Sequence, residues 1–133
     1  MTRKAANETV RVFQYAACGT CKKALAWLDA HGVAYEGVPI VERPPSLREL
    51  GELVEKSGLP VRKWLNTSGQ SYRALLAARG KEAVEKLGDR ELLALLAADG
   101  KMIKRPVVVA GEHVLVGFSE AAYEARFGGG SAR

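Results

Sequence analysis

The 133-residue chain has only two cysteines and five prolines, and its nine aromatic residues are 3 Phe, 2 Trp and 4 Tyr. Two thiols cannot form the dense framework of a disulfide-stapled scaffold. No stretch has the length and unbroken apolarity of a bilayer span; the aliphatic run Val107 to Ala110, after Pro106, is far too short. The first nine residues, Met1 to Thr9, are polar and lack the apolar segment of a secretory leader, so the expected location is the cytoplasm, without membrane attachment. In that setting the glycosylation sequons Asn7-Glu8-Thr9 and Asn66-Thr67-Ser68 carry no weight. Charge of one sign is not concentrated either. Lys and Arg number 20 against 15 Asp and Glu, a net +5, and the two signs interleave along the chain. The densest basic cluster, Lys101, Lys104 and Arg105, has no aromatic neighbour in sequence for base stacking, which argues against direct nucleic-acid binding.

What remains is a composition of the ordinary globular kind, 47% hydrophobic and 26% charged. A single domain over residues 1–133 is the expectation. A chain of this size buries roughly 65 to 70% of its extended surface, enough for an apolar core without disulfide or metal staples. The two cysteines therefore need another explanation, and in a reducing cytosol a close pair is redox-active or metal-binding before it is structural.

Val10 to Tyr15 alternates and carries β-branched and aromatic residues, which predicts a strand. Cys18-Gly19-Thr20-Cys21 then leads into a helix from Lys22 to His31, closed by Gly32. Val33 to Val41 reads as a second strand. After Pro44-Pro45, Ser46 and Glu49 have the spacing of a capping box for a helix from Leu47 to Lys56, ended by Gly58. Pro60 to Ala98 continues as short helical pieces broken at Asn66 to Gly69, at Gly80 and at Gly88-Asp89. Pro106 to Ala110 and His113 to Gly117, separated by Gly111-Glu112, predict a hairpin; Ser119 can cap a last helix to Phe127, before a Gly-rich tail over 128–133. The order gives an α/β fold: a thioredoxin-like mixed four-stranded sheet with helices on both faces. A helical insertion, about 44–99, separates its second and third strands.

The sharpest chemical signal is Cys18-Gly19-Thr20-Cys21. Cysteines at i and i+3 on a helix N-terminus place the first sulfur over unpaired amides and the positive end of the helix dipole, which favours thiolate. Cys18 is then the nucleophile and Cys21 the thiol that resolves its adduct by forming the internal disulfide. Lys22 and Lys23 add positive charge, and Gly19 leaves room for a substrate. Two spectator thiols buried in the fold are the alternative. A zinc site would need two further ligands; only His31 and His113 are available, at spacings matching no usual motif, so no metal is expected. Arg105-Pro106 admits two readings. One is a strand-entry proline beside a solvated arginine; the other is a cis bond that sets Arg105 against the cysteine turn, its guanidinium favouring an anion there. Asn66 to Gly69, with Tyr72 and Arg73, reads first as a turn and helix cap. His31, His113, Trp27 and Trp64 read as packing or element-end residues without catalytic duty.

These residues resemble the arsenate reductase-like family with a thioredoxin fold, which includes Spx and MgsR type regulators and YffB and YusI type proteins. The likeness runs from Val10 to Phe127. It rests on Ala17-Cys18-Gly19-Thr20-Cys21-Lys22-Lys23-Ala24, Pro44-Pro45-Ser46, Asn66-Thr67-Ser68-Gly69 with Tyr72-Arg73, Ile103-Lys104-Arg105-Pro106 and Val116-Gly117-Phe118-Ser119. The Asn66 segment is closest to the YusI and YffB type. The resemblance implies a thiol-dependent oxidoreductase with Cys18, Cys21 and Arg105 as catalytic residues and Gly19, Thr20, Pro106 and Asn66 as substrate-binding or turn support. No bound cofactor is implied; glutathione, thioredoxin or glutaredoxin is the implied electron donor, and a small thiol or redox protein the partner. Two alternatives come with the family. A redox-sensing regulator of the Spx type would bind the RNA polymerase α subunit. A glutaredoxin-dependent arsenate reductase would hold the oxyanion with three arginines, but only Arg105 is present; Asn66 and Gly117 stand in place of the other two, removing their bidentate contacts.

Overall fold

The computed structural model describes residues Val10–Gly128. The polar stretch Met1 to Thr9 and the tail from Gly129 lie outside the described residues. In chain order the elements are β1 (Val10–Gln14), α1 (Gly19–Ala30), β2 (Glu36–Pro39), α2 (Leu47–Ser57), a 3-10 turn (Val61–Trp64), α3 (Gln70–Arg79) and α4 (Lys81–Glu85). They continue with α5 (Asp89–Ala98), a second 3-10 turn (Gly100–Met102), β3 (Val107–Ala110), β4 (His113–Val116) and α6 (Glu120–Tyr123), which runs into a π turn (Glu124–Gly128). They group into two compact units, one of the chain up to Pro39 together with Arg105 onward, the other of Ile40–Lys104.

The first unit is a mixed four-stranded sheet in the order β2-β1-β3-β4. β1 pairs parallel with β2, Arg11 opposite Glu36 to Gln14 opposite Pro39, and antiparallel with β3, Val10 opposite Ala110 to Phe13 opposite Val107. The β3–β4 hairpin turns at Gly111, whose φ of 62° is the positive angle that primed hairpin turns require. Val10, Val12, Val108 and Ala110 share one sheet face, as their period of two dictates, and bury against Ala24, Trp27 and Leu28 of α1 and Tyr123 of α6. The second strand is shorter than its apolar pattern. The paired register runs from Glu36 opposite Arg11 to Pro39 opposite Gln14, and Val33 to Tyr35 are irregular. The last helix departs from its expected course too: it is α-helical only to Tyr123, and the wider turn beyond carries the Phe127 ring to 6.3 Å from Trp27 and 6.4 Å from Tyr123.

The second unit is helical. Ser46 caps α2, its hydroxyl accepting from the Glu49 amide at 3.1 Å, and Gly58 ends the helix in the left-handed conformation with φ 73°. Leu50, Leu53 and Val54 form its buried stripe, and Trp64, Leu92, Leu96 and Ile103 of the same unit are buried as well. Trp64 donates its indole N–H to Ser57 Oγ at 3.1 Å, so its large apolar body is buried without an orphaned donor. The Arg62 guanidinium gathers the carbonyls of Val84, Glu85 and Leu87 at 3.2, 2.6 and 2.9 Å, closing the C-terminal end of α4. Gly100 lies so close to the Ile40 carbonyl that any Cβ there would collide with backbone.

Candidate active site

β1 ends at Gln14, and the chain turns through Tyr15 to Cys18, where the Cys18 amide donates to the Tyr15 carbonyl at 3.0 Å. Cys18 is the N-cap of α1, with extended φ of −90° and ψ of 119°, and its Sγ accepts from the Cys21 amide at 3.3 Å. A cysteine thus does here what Ser or Asp does at other helix starts. The sulfur takes up one of the orphan amides of the first turn, and the helix begins at Gly19, three residues before the Lys22 start that the sequence predicts. No acidic residue enters that first turn, and Lys22 and Lys23 stand exposed on it. Cys18 is partly exposed and Cys21 is buried at 1% exposure; both are free thiols.

The second wall comes from the entry to β3. Arg105 lies with its guanidinium carbon 5.0 Å from the centre of the Tyr15 ring, a cation–π contact that holds the side chain over the end of β1. The Arg105–Pro106 peptide bond is cis. Pro106 is buried, and its carbonyl accepts from the Gly117 amide at 2.8 Å, tying the strand entry to the end of β4.

These neighbours drive the two thiols apart electrostatically. Burial raises the Cys18 pKa. Hydrogen bonds from the Cys21 thiol and amide, and the hydrogen bond and charge of Arg105, outweigh it and hold Cys18 below the ordinary thiol range. Burial pushes Cys21 up to about 12; a backbone hydrogen bond at Tyr15 and the Arg105 charge oppose this, while the hydrogen bond and charge of Cys18 reinforce it. One sulfur is therefore partly exposed and shifted toward the thiolate form, and the other is buried and held protonated. That is the asymmetry a nucleophile and its resolving partner need.

The structure brings Cys18, Cys21, Arg105 and Pro106 together in the first unit. Gly19 and Thr20 sit exposed on the first turn, and nothing lies within 4 Å of where a Gly19 Cβ would be. Asn66 belongs to the second unit. Its Nδ2 donates to the Lys101 carbonyl at 3.3 Å and its amide to the Met102 carbonyl at 2.9 Å, while its own carbonyl accepts from Gly69 at 3.2 Å. Gly117 has a φ of 83°, a backbone angle that a side chain strains, so an arginine there would need a different turn. Among the described residues no three His, Cys, Asp or Glu side chains gather as a metal site would require. Nor is any described helix long and apolar enough to cross a membrane.

Two residues were not singled out by the sequence reading. Tyr15 supplies both the carbonyl that starts the cysteine turn and the ring under Arg105; its position three residues before Cys18, at a strand end, was the available signal. Tyr123 is 1% exposed, and burial together with the nearby charge of Cys21 raises its pKa. Nothing in the local sequence marks it: its hydroxyl bond to Gly117 follows no capping spacing, and its ring meets Trp27 of α1, distant in the chain.

The family model described as ArsC family matches residues 13–126. The chain belongs to the ArsC family. The uncharacterized protein YusI of Bacillus subtilis (strain 168) is 47% identical over 112 residues, covering 84% of this chain and 92% of YusI. A crystal structure of an ArsC family related protein from Bacteroides fragilis superposes with a TM-score of 0.80 at 40% identity, covering 87% of this chain and 95% of that one. The global transcriptional regulator Spx of Streptococcus agalactiae serotype V is 24% identical over 111 residues, 84% of this chain and 77% of Spx. The thioredoxin-like mixed sheet of the ArsC family is thus the frame on which Cys18, Cys21 and Arg105 are set.

Proposed function

We propose that this ArsC-family chain is a cytoplasmic thiol–disulfide oxidoreductase. The observation that carries the reading is the unequal pair: the Cys18 pKa is lowered by the Cys21 thiol and amide and by Arg105, while buried Cys21 stays protonated. In the first step the Cys18 thiolate attacks one sulfur of an oxidised substrate disulfide. A Cys18–substrate mixed disulfide forms and the other substrate sulfur leaves as thiolate. In the second, Cys21 loses its proton to that departing thiolate or to water and attacks Cys18 Sγ. The Cys18–Cys21 bond forms, the second substrate thiolate leaves, and two electrons have passed to the substrate. A small thiol or redox protein, glutathione, thioredoxin or glutaredoxin, returns the pair to the dithiol by the same exchange in reverse. No bound cofactor takes part. Gly19 and Thr20 leave the approach to Cys18 open, and Pro106 carries Arg105 to it.

Replacing Cys18 with Ser should abolish disulfide exchange in an assay with a mixed-disulfide substrate, whereas Cys21→Ser should accumulate the Cys18 adduct, visible by intact mass. Exchange at the wild-type rate in the Cys18→Ser protein contradicts the reading.

The match to Spx supports a second reading, a redox-switched regulator whose partner is the RNA polymerase α subunit. It requires polymerase capture that changes when Cys18–Cys21 forms, and equal absence of polymerase from pull-downs in both redox states removes it. Arsenate reduction is disfavoured by the residues at the other arginine positions: the Asn66 amide is already engaged with the Lys101 carbonyl, and Gly117 has no side chain.

A further inference from the structure

Tyr123 stands out in the first unit as a buried titratable side chain to which the exchange mechanism gives no part. Its hydroxyl donates to the Gly117 carbonyl at 2.8 Å in a buried hydrogen bond. Gly117 in turn donates its amide to the Pro106 carbonyl at 2.8 Å, and Pro106 is bonded to Arg105, the cation beside the Cys18 sulfur. The same tyrosine touches the other half of the site through its ring. It meets Trp27 of α1 edge-on, with centroids 5.5 Å apart at 83°, and Phe118 in the same manner at 4.9 Å and 78°. α1 is the helix that carries Cys18 at its N-cap and Cys21 in its first turn. One side chain therefore bridges the two structural pieces whose mutual placement sets the distance between guanidinium and thiolate.

We propose that Tyr123 is a positioning residue of the dithiol site: through Gly117 and Pro106 its hydroxyl fixes Arg105 against Cys18, while its ring fixes the helix that bears both thiols. The proposal rests on the exchange reading. Removing the hydroxyl leaves the Gly117 carbonyl buried without its donor, and a buried acceptor regains a partner only by moving. The movement runs along Gly117 and Pro106 to Arg105 and takes stabilisation away from the thiolate. The ring contacts with Trp27 and Phe118 persist in Tyr123→Phe, so the two contributions separate.

The test is the pH profile of Cys18 alkylation in Tyr123→Phe, with Phe118→Leu as a packing control and Arg105→Ala as the background in which Tyr123 has nothing left to position. The expected result has three parts. Tyr123→Phe alkylates Cys18 roughly three- to tenfold more slowly than wild type below neutral pH and equally fast at high pH, the size expected for losing one buried hydrogen bond. Phe118→Leu melts at a lower temperature but keeps the wild-type profile. In the Arg105→Ala background, adding Tyr123→Phe changes the profile no further, since residues acting through one another are non-additive. A wild-type profile in folded Tyr123→Phe, or a full and additive effect without Arg105, overturns the proposal. Should Tyr123→Phe not fold, the wild-type Gly117 amide resonance serves instead. It is expected to shift between the dithiol and Cys18–Cys21 states, and an unmoved resonance overturns the proposal. A wild-type protein whose Cys18 reacts only in the ordinary thiol range removes the exchange reading itself, a result distinct from a normal wild type with an indifferent Tyr123 variant.

Discussion

Two sulfurs three positions apart, those of Cys18 and Cys21, differ in burial and partners, and this difference governs their reactivity. Among the described residues, Arg105 is the only side-chain cation that lowers the Cys18 pKa. Arg105→Ala should therefore move the Cys18 alkylation midpoint upward, toward the ordinary thiol range, and slow exchange at neutral pH several-fold; an unmoved midpoint would leave the thiol and amide of Cys21 as the groups that stabilise the anion. Cys21 also makes a prediction for stability. Its folded pKa is raised to about 12, so the folded chain holds this proton where the unfolded chain has released it. The contribution is whole below the ordinary thiol pKa and is lost as pH rises from there toward about 12. Reduced wild-type protein should lose denaturant stability across that alkaline window more steeply than Cys21→Ser, compared by urea melts at matched pH. Cys18, with its pKa lowered, contributes with the opposite sign: its share grows as pH rises from its folded pKa to the ordinary thiol pKa and is lost as pH falls through the folded value. The cysteine spacing and the arginine before Pro106 were legible in the sequence. The Tyr15 ring beneath Arg105 and the Tyr123 hydroxyl behind Gly117 were not: the first joins distant parts of the chain through the pairing of β1 with β3, and the second, though local in sequence, is a side-chain-to-backbone bond that no capping or turn spacing encodes.

At the scale of elements, helix starts were read well where a side chain does the capping. Ser46 on α2 and Ser119 on α6 accept from the amides three residues on, as their spacing implies. Cys18 does the same for α1, which is why that helix begins at Gly19, ahead of its apolar stripe at Ala24, Trp27 and Leu28. Strand lengths were read less well. β2 covers only Glu36–Pro39, the four residues paired with Arg11 to Gln14 of β1, a limit that the apolar pattern of the sequence does not mark. The change from α to π geometry after Tyr123 likewise follows the packing of Phe127 on Trp27 and Tyr123 rather than any helix-breaking residue. Capping gives the element-scale prediction. Ser46→Ala should cost about 1 kcal/mol of stability, the usual loss for an N-cap hydroxyl, and leave the Cys18 pH profile where it is. A thermal melt unchanged within error would mean that water replaces the hydroxyl without loss.

For the molecule as a whole, membership of the ArsC family fixes the scaffold, and the neighbours at 40 and 47% identity cover most of its length. The family alone does not choose among exchange, regulation and oxyanion chemistry. The exchange reading proposed above rests on side chains: Arg105 beside Cys18, Gly117 with φ 83° and no side chain, and Cys21 buried and protonated. The measurement that bears most directly on the central claim is a redox titration of the purified chain in glutathione buffers, trapping thiols by alkylation and reading the Cys18–Cys21 bond by mass. The account requires a reversible internal disulfide near the cytosolic glutathione poise, with Cys18 alkylating as a thiolate well below the ordinary thiol pKa. Two thiols that stay unreactive, or that join only to external thiols and never to each other, would contradict it.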